Sequence, residues 1–358
     1  MSRGLRRRIF LCAAGLVACG GGTTPPEQTL HPHGLLAVSP TTPDIPATPS
    51  EVLDAFNTIY AAGARGFFYS QRWSELEPAP DSIALTDFRN TINVVTGMGY
   101  TPYVGIQVIN TTVKETPADL VDTAFDSPAM KARFHALLDS LLPIMAGRVP
   151  YLSIGNEVDA YLNATNGWAA YTNFFNDAVA YVHQKAPGMK VGVTVEWASA
   201  AGVSAANIRT LTANADLDVF TYYAIGPDFH VLAPSQGPAT LDAMVVFASG
   251  KPVVVQEFGM PTDSTLGGSQ QAQADFVSAS IGEFAKIGAD RIPMLSFFSL
   301  YDFPQSLCDQ LPAYYGVSGP IVPAFEAYLC SLGLKTGLGA DKLAWPAFKT
   351  AAAANGFP

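Results

Sequence analysis

Two short apolar runs in this sequence end in a glutamate. Residues 151–158 read Tyr-Leu-Ser-Ile-Gly-Asn-Glu-Val, and residues 252–259 read Pro-Val-Val-Val-Gln-Glu-Phe-Gly. Runs of this kind are typical of parallel strands covered on both faces. An ionised side chain persists there only if it is paired, hydrogen-bonded or facing solvent. Two such acids, Glu157 and Glu257, therefore predict a single site.

A pair of carboxyl groups suits the hydrolysis of a glycosidic bond by double displacement. One carboxyl group protonates the leaving oxygen while the other attacks the anomeric carbon, and in retaining enzymes the two lie about 5–5.5 Å apart. Their surroundings must differ, so that a neutral acid and an ionised nucleophile coexist at one pH. The alternative for each glutamate taken alone is a buried acid held in a salt bridge.

The elements that must position these acids follow from eight apolar runs that alternate with amphipathic stretches. The predicted strands are 34–38, 66–70, 102–109, 151–155, 190–195, 218–223, 252–256 and 292–300, and the predicted helices are 49–62, 85–98, 127–146, 168–185, 239–249 and 269–287. Ser50, Thr86 and Ser127 are the predicted capping residues of the first three helices. Strands alternating with helices predict right-handed βαβ units and a parallel sheet.

Eight such units, without a glycine-rich dinucleotide fingerprint after the first strand, favour a closed barrel over an open sheet. The predicted fold class is therefore α/β, as a single (β/α)8 TIM barrel. Active sites of this fold lie at the carboxyl ends of the strands. Glu157 ends the fourth predicted strand and Glu257 the seventh.

The N-terminal segment has the features of an export signal. Arginines within residues 3–8 precede an apolar stretch, 9–18, that is too short to span a bilayer. Residues 16–20 read Leu-Val-Ala-Cys-Gly and resemble a bacterial lipobox, which implies cleavage before Cys19 and acylation of its thiol. The alternative is an ordinary signal peptide with an incidental cysteine. The predicted organisation is a signal peptide (1–18), a flexible tether (19–33) and a barrel domain (34–358), on a lipoprotein of the cell envelope.

Charge and cysteine content narrow the classes of partner. The chain has 358 residues and a net charge of −10; without the four arginines of the leader, 16 basic residues face 30 acidic ones, a balance of −14. This balance argues against nucleic acid or an anionic membrane surface as the main partner, and neutral ligands such as sugars remain. Cys308 and Cys330 are the cysteines left beyond Cys19, and an exported chain favours a disulfide between them.

At five places the sequence resembles one clan of enzymes. These are Gly-Asn-Glu at 155–157, Val-Val-Gln-Glu-Phe-Gly at 254–259, Trp-Ser-Glu-Leu-Glu-Pro at 73–78, Thr-Tyr-Tyr at 221–223 and Asp-Lys-Leu-Ala-Trp at 341–345. Together they resemble the (β/α)8-barrel retaining glycoside hydrolases of the cellulase and β-glycanase type. In that clan the catalytic glutamates end strands four and seven. The resemblance spans about 34–348.

The resemblance implies roles for individual residues. Glu157 becomes the general acid/base and Glu257 the nucleophile, and Asn156 would hydrogen-bond the sugar 2-hydroxyl. Tyr222 or Tyr223 would hydrogen-bond the nucleophile. The resemblance also implies a β-linked poly- or oligosaccharide as substrate, and we expect no cofactor and no metal.

Aromatic residues near strand ends are candidate sugar contacts, because their flat faces match the C–H face of a pyranose. The candidates are Trp73, Tyr69, Trp197, Tyr222, Tyr223 and, in place of the clan's strand-eight tryptophan, Phe298, with Phe297 or Tyr301 as its substitutes. Glu196, which ends the fifth predicted strand, is a further candidate that would contact the substrate or position water, and a surface salt bridge is the alternative for it. A core or lid position is the alternative for each aromatic residue. The clan's strand-two arginine also lacks its expected register, since Arg65 and Arg72 flank the predicted strand.

The sequence thus predicts a monomeric retaining glycoside hydrolase whose contact with the membrane is its lipid anchor. The alternative from another class is a glycan-binding lipoprotein whose barrel has lost activity. An exported solute-binding receptor would need two lobes joined by a hinge, and the composition shows no boundary of that kind.

Overall fold

A computed structural model of the protein describes residues 33–358. The predicted signal peptide (1–18), the predicted lipidation site Cys19 and all but the last residue of the predicted tether lie outside the described residues. Among the helices of residues 33–358, none has the length and apolar character needed to cross a membrane.

Within residues 33–358, ten strands form one sheet. They are β1 (Leu35–Val38), β2 (Gly66–Arg72), β3 (Thr101–Asn110), β4 (Val113–Lys114), β5 (Tyr151–Asn156), β6 (Lys190–Gly192), β7 (Thr194–Glu196), β8 (Asp218–Tyr223), β9 (Val253–Gly259) and β10 (Met294–Phe297). Their order is β6-β5-β3-β2-β1-β10-β9-β8-β7, and the short β4 pairs antiparallel with β3. All eight predicted strands are present.

The predicted strand 190–195 appears as two strands, because the segment changes partners at Val193. Before it, β6 pairs in parallel with β5; after it, β7 pairs in parallel with β8. The strand order therefore begins and ends on adjoining parts of one segment. With helices between the parallel strands, this is the order of a single (β/α)8 barrel, and the predicted fold class is confirmed.

Fourteen α-helices accompany the strands in the described part of the chain. They are α1 (Pro49–Ala61), α2 (Trp73–Leu76), α3 (Thr86–Gly97), α4 (Pro128–Met145), α5 (Val158–Thr165), α6 (Trp168–Lys185), α7 (Trp197–Ala200), α8 (Ala205–Leu211), α9 (Gln236–Phe247), α10 (Gln270–Ile287), α11 (Gln305–Cys308), α12 (Leu311–Tyr315), α13 (Val322–Leu329) and α14 (Ala344–Ala354). All six predicted helices are confirmed, as α1, α3, α4, α6, α9 and α10. The short helices α2, α5 and α7, which begin at or just after the end of a strand, were not predicted.

Two of the three predicted helix caps are wrong. Thr48 caps α1 through a capping box, in which the Glu51 carboxylate accepts the Thr48 backbone N–H at 2.6 Å. Pro49 then occupies the first helical position, which suits its fixed φ, so Ser50 lies inside the helix. Thr86 is the first residue of α3 and makes no cap. Ser127 does cap α4, because its hydroxyl accepts the Met130 N–H at 3.2 Å.

The chain divides into two compact units. One comprises residues 33–66 with Tyr222–Pro358, and the other comprises Phe67–Thr221. In the first, Phe258 stacks on Phe276 with ring centroids 4.8 Å apart. The same unit contains the Cys308–Cys330 disulfide, with a Cα–Cα distance of 6.0 Å, which joins α11 to the end of α13. The bridge closes part of the long segment between β10 and α14.

In the second unit, the end of β5 depends on one glycine. Gly155 has a φ of +92°, and a Cβ there would lie 2.4 Å from both the Tyr171 hydroxyl and a methyl of Val158. The Tyr171 hydroxyl is fixed in place because it donates to the Ile154 carbonyl at 2.8 Å. The conformation and the close approach both require glycine. The turn that carries Glu157 out of the strand follows from this residue.

We expect Gly155→Ala to destabilise the protein more than Gly147→Ala. Gly147 also has a positive φ, +69°, but no atom lies within 4 Å of an added Cβ. The left-handed conformation should cost each variant about 1–2 kcal/mol. The clash at Gly155 should add about 1–3 kcal/mol. Urea unfolding of both variants measures the difference, and equal losses would show that Tyr171 and Val158 do not restrict position 155.

Candidate active site

The carboxylate of Glu157 is held by two threonine hydroxyls. Glu157 is half-buried and follows directly after β5, with a φ of +46°. Thr111, just after β3, donates to Oε2 at 2.7 Å, and Thr221, within β8, donates to Oε1 at 2.8 Å. Each carboxylate oxygen therefore has its own donor, and the plane of the carboxyl group is fixed. Thr111 was not predicted as a site residue, because 46 residues separate it from Glu157 in the sequence.

Asn156 joins the ends of two neighbouring strands. It is buried at the end of β5, opposite Asn110 at the end of β3. Its side-chain N–H donates to the Asn110 side-chain oxygen at 3.0 Å, while its carbonyl accepts the Thr111 N–H at 2.8 Å. These bonds hold the segment before Glu157 against the residue that binds the Glu157 carboxylate.

In the other unit, Glu257 lies in β9 and is half-buried. Tyr223 donates its phenolic hydrogen to Oε2 at 2.5 Å, and the Gln256 side-chain amide donates to Oε1 at 3.3 Å. Burial raises the pKa of Glu257, because it disfavours the ionised carboxylate; both hydrogen bonds act in the opposite direction and lower that pKa. The net pKa lies above the ordinary value, and Tyr223 is the larger of the two opposing influences.

Strand alternation separates Tyr223 from Tyr222. Neighbouring residues of a strand point to opposite faces, and Tyr223 contacts Glu257. The Tyr222 ring lies 5.4 Å from the Phe258 ring. Burial raises the pKa of Tyr222. Tyr222 is half-buried and lies on the strand face opposite Tyr223. As a sugar contact it remains a prediction.

Trp73 and Tyr69 are wrong as predicted sugar contacts, because both are core residues. The Trp73 side chain is fully buried, its indole N–H donates to Glu77 at 2.9 Å, and its ring lies 5.1 Å from Phe134. Tyr69 is 5% exposed and packs with its ring 5.6 Å from Phe88 of α3. The Trp-Ser-x-Leu-Glu segment thus fixes α2 in the core.

Glu196 and Trp197 remain accessible at the junction of β7 and α7. Both side chains are half-buried, and the Trp197 ring lies 5.3 Å from Phe220. The Glu196 backbone N–H donates to Asp159 at 2.9 Å. Asp159 is fully buried in the first turn of α5, and burial raises its pKa. Asp159 was not predicted as a site residue, although its place two residues after Glu157 was a signal.

Phe298 follows β10 and is half-buried, with its ring 6.1 Å from Tyr223 and 5.6 Å from Phe303. Phe297, the preceding residue, is 1% exposed and packs against Phe258 and Phe348. Of these two phenylalanines, Phe298 is therefore the one that stays available for a ligand. As a sugar contact it remains a prediction.

Arg72 does not flank the second strand, contrary to the sequence analysis. Strand β2 is two residues longer than predicted, so Arg72 is its last residue. The guanidinium is buried and pairs with Glu75 at 2.8 Å and Glu115 at 3.8 Å. Arg65 precedes the strand and donates to the carbonyls of Tyr60 and Ala64. Arg72 is therefore an arginine at the end of the second strand, and it forms ion pairs with acids of its own unit.

Metal binding has no evident set of ligands in the part of the chain that the structure describes. Among residues 33–358, no group of three or more His, Cys, Asp or Glu side chains is arranged to hold a metal ion.

Solved structures of similar fold are numerous, whereas no protein-family model and no curated protein matches the sequence. An exo-β-1,4-mannosidase from Opitutaceae bacterium strain TAV5 superposes with a TM-score of 0.69 at 16% identity, over 90% of this chain and 59% of that one. GH5_18 from Streptomyces cattleya, in complex with GlcNAc, gives 0.68 at 14% identity, over 90% and 80%. A β-glycosidase from Pyrococcus horikoshii gives 0.59 at 13% identity, over 86% and 87%.

This chain shares their barrel fold. It spans 59% of the length of the mannosidase, which is therefore the longer protein. The identities of 13–16% establish the fold and leave the activity to be argued from the site.

We expect Glu257→Gln to stabilise the protein near pH 7.5. Because burial raises the pKa of Glu257 above 4.5, the folded state keeps its proton at pH values where the unfolded chain has lost it. Stability therefore falls as the pH rises from 4.5 towards the folded-state pKa. Glutamine cannot ionise and still accepts from Tyr223, so the melting temperature should rise by roughly 2 °C.

The gain should shrink near pH 3, where wild-type Glu257 is protonated in both the folded and the unfolded state. Glu326→Gln, at another half-buried glutamate of the same unit, is the control. A lower melting temperature for Glu257→Gln at both pH values would contradict a burial cost at this position.

Proposed function

We propose that the protein is a retaining glycoside hydrolase that cleaves β-glycosidic bonds in a poly- or oligosaccharide. Glu157 is the general acid/base and Glu257 the nucleophile. The observation that carries the proposal is the placement of both acids. Glu157 directly follows the parallel strand β5, and Glu257 lies in the second half of the parallel strand β9. Each carboxylate accepts a hydrogen bond from at least one hydroxyl group. The carboxyl ends of the strands are where this fold places active sites.

The hydrogen bonds of Glu257 suit a nucleophile. Tyr223 and Gln256 stabilise the ionised carboxylate against the cost of burial. Oε2 receives the short bond from Tyr223, whereas Oε1 has the longer contact with Gln256. We therefore assign Oε1 as the attacking atom. Its lone pair forms the bond to the anomeric carbon as the glycosidic C–O bond breaks.

The hydrogen bonds of Glu157 suit an acid that becomes a base. In the first step Glu157 transfers its proton to the leaving oxygen. In the second step it accepts a proton from water, whose oxygen attacks the anomeric carbon and releases Glu257. Threonine hydroxyls both donate and accept hydrogen bonds, so Thr111 and Thr221 can accompany Glu157 through both states.

The remaining candidates form the proposed sugar contacts. Asn156 adjoins the acid and would bond the 2-hydroxyl, while Trp197, Glu196 and Phe298 are half-buried and accessible to a ligand. The names of the β-1,4-mannosidase and the β-glycosidase among the solved structures support a β-linked substrate. We propose that the enzyme acts as a monomer without a cofactor.

We also propose that the enzyme is a lipoprotein of the bacterial cell envelope. Acylation of Cys19 would attach it to the membrane through the tether, 19–33, with the barrel outside the bilayer. The lipobox-like residues 16–20 and the preceding arginines support this location.

A glycan-binding lipoprotein without activity is the second candidate. The residue in its favour is Phe298, which follows β10 where the clan usually has a tryptophan. The two hydroxyl-bound glutamates favour the enzyme.

We expect the protein cut at Gly20, which lacks the predicted lipidation site Cys19, to hydrolyse aryl β-glycosides and at least one β-glycan. Glu257→Ala should abolish turnover. Glu157→Ala should reduce kcat/KM about 10²–10⁴-fold on substrates that need protonation, because that range is typical of general acid catalysis. Added azide should restore its turnover of an activated aryl glycoside. Glu283→Ala, at a half-buried glutamate of α10, is the control. Glycan binding without turnover, unchanged in either active-site variant, would instead identify a binding protein.

We expect the first-formed product to keep the β configuration, because a covalent intermediate on Glu257 inverts the anomeric carbon twice. Proton NMR of the reducing sugar, recorded before mutarotation, measures this directly. An α product would show a single displacement by water and would remove Glu257 from the role of nucleophile.

A further inference from the structure

Thr111 has an unusual backbone conformation for its type. Its φ is +51°, and among the non-glycine residues with positive φ in residues 33–358 it is the β-branched one. A β-branched residue in this region is a genuine outlier. Such strain persists where the surroundings fix the residue, and it is concentrated at functional sites.

Three hydrogen bonds fix Thr111. Its N–H donates to the Asn156 carbonyl at 2.8 Å, and its carbonyl accepts the Tyr161 N–H at 3.0 Å. Its hydroxyl donates to Oε2 of Glu157 at 2.7 Å. The two backbone bonds connect Thr111 to the residue before Glu157 and to α5 after it. The strained residue and the proposed acid therefore keep a constant relative position.

Thr221 holds the other oxygen of the same carboxyl group. It is 2% exposed, lies within β8 opposite Glu196, and donates to Oε1 of Glu157 at 2.8 Å. Threonine is stiff at χ1 because its Cβ is branched. Two stiff side chains, one just after β3 and one within β8, therefore determine the rotation of one carboxyl group.

We propose that Thr111 and Thr221 are positioning residues that keep the Glu157 carboxyl group in one orientation in both of its protonation states. This inference rests on the proposed function. When Glu157 is ionised, both hydroxyls donate to it. When Glu157 carries the proton that it will transfer, one threonine keeps donating to the carbonyl oxygen. The other can rotate its hydroxyl hydrogen away and offer a lone pair.

The orientation of the Glu157 carboxyl group affects how fast its proton is transferred to the leaving oxygen. A misplacement of about 1 Å can reduce a rate about 10²-fold. Without the hydroxyls the carboxyl group can rotate about its terminal bond, since rotation about that bond is broad. The resulting loss of hydrolysis rate affects substrates whose leaving group needs protonation. A leaving group that departs as a stable anion does not need the proton.

The test compares two substrates in five variants. The substrates are the phenyl and 2,4-dinitrophenyl β-glycosides of one sugar that the wild-type protein hydrolyses. The variants are Thr111→Val, Thr221→Val, the double Val variant, Thr111→Ser and Thr221→Ser. Valine keeps the branched shape and, at position 111, the backbone strain, so the Val variants remove the hydroxyl alone.

We expect kcat/KM for the phenyl glycoside to fall about 10–10²-fold in each Val variant, whereas kcat/KM for the dinitrophenyl glycoside stays within about twofold. The Ser variants should regain most of the lost activity. Thr91→Val, at a buried threonine of α3, should change neither value.

If kcat/KM fell equally for both substrates in the Val variants, or if the Ser variants did not regain it, the positioning role would be overturned. These threonines would then be structural residues. Unchanged kcat/KM for the phenyl glycoside in the double Val variant would overturn it as well, while the proposed hydrolase function would stand. If the wild-type protein hydrolysed neither glycoside of any sugar tested, the proposed function would fail and the positioning role with it. Melting temperatures of all variants distinguish misfolding from loss of positioning.

Discussion

The site depends on the cost of keeping a carboxylate at the end of a buried parallel strand. Such a group needs donors, because burial disfavours its ionised form. Glu157 receives hydroxyl hydrogens from Thr111 and Thr221, and Glu257 receives one from Tyr223. Since these donors come from other strand ends, the register of the sheet must be correct before either acid is stabilised. A barrel provides that register by fixing each strand between two neighbours.

The backbone around Glu157 is shaped for the site at the expense of local stability. Gly155, Glu157 and Thr111 all have positive φ, and their conformations are held by bonds between β3, β5 and α5. The buried Asp159 continues this network to the end of β7 through the Glu196 N–H. The elements around Glu157 are therefore joined by direct hydrogen bonds. Groups held in place in this way are preorganised for the proposed transfer of a proton.

Aromatic side chains of similar type differ in burial, and this difference separates core residues from candidate ligand contacts. Trp73, Tyr69 and Phe297 fill the core, whereas Trp197, Tyr223 and Phe298 stay half-buried. The division follows strand alternation and the distance from a strand end. The short helices that follow β2, β5 and β7 set where each aromatic residue lies, and the sequence pattern did not reveal them.

The sequence by itself determined the eight strands, the six long helices and the two glutamates that follow apolar runs, because apolar periodicity and strand-ending residues are local properties. It also led to the pairing of Cys308 with Cys330 as the expected disulfide. Only the tertiary structure decided that Tyr223 rather than Tyr222 meets Glu257, that Trp73 is buried, and that Thr111 binds an acid 46 residues away. These contacts depend on strand register and side-chain direction, which arise only when distant strands pair.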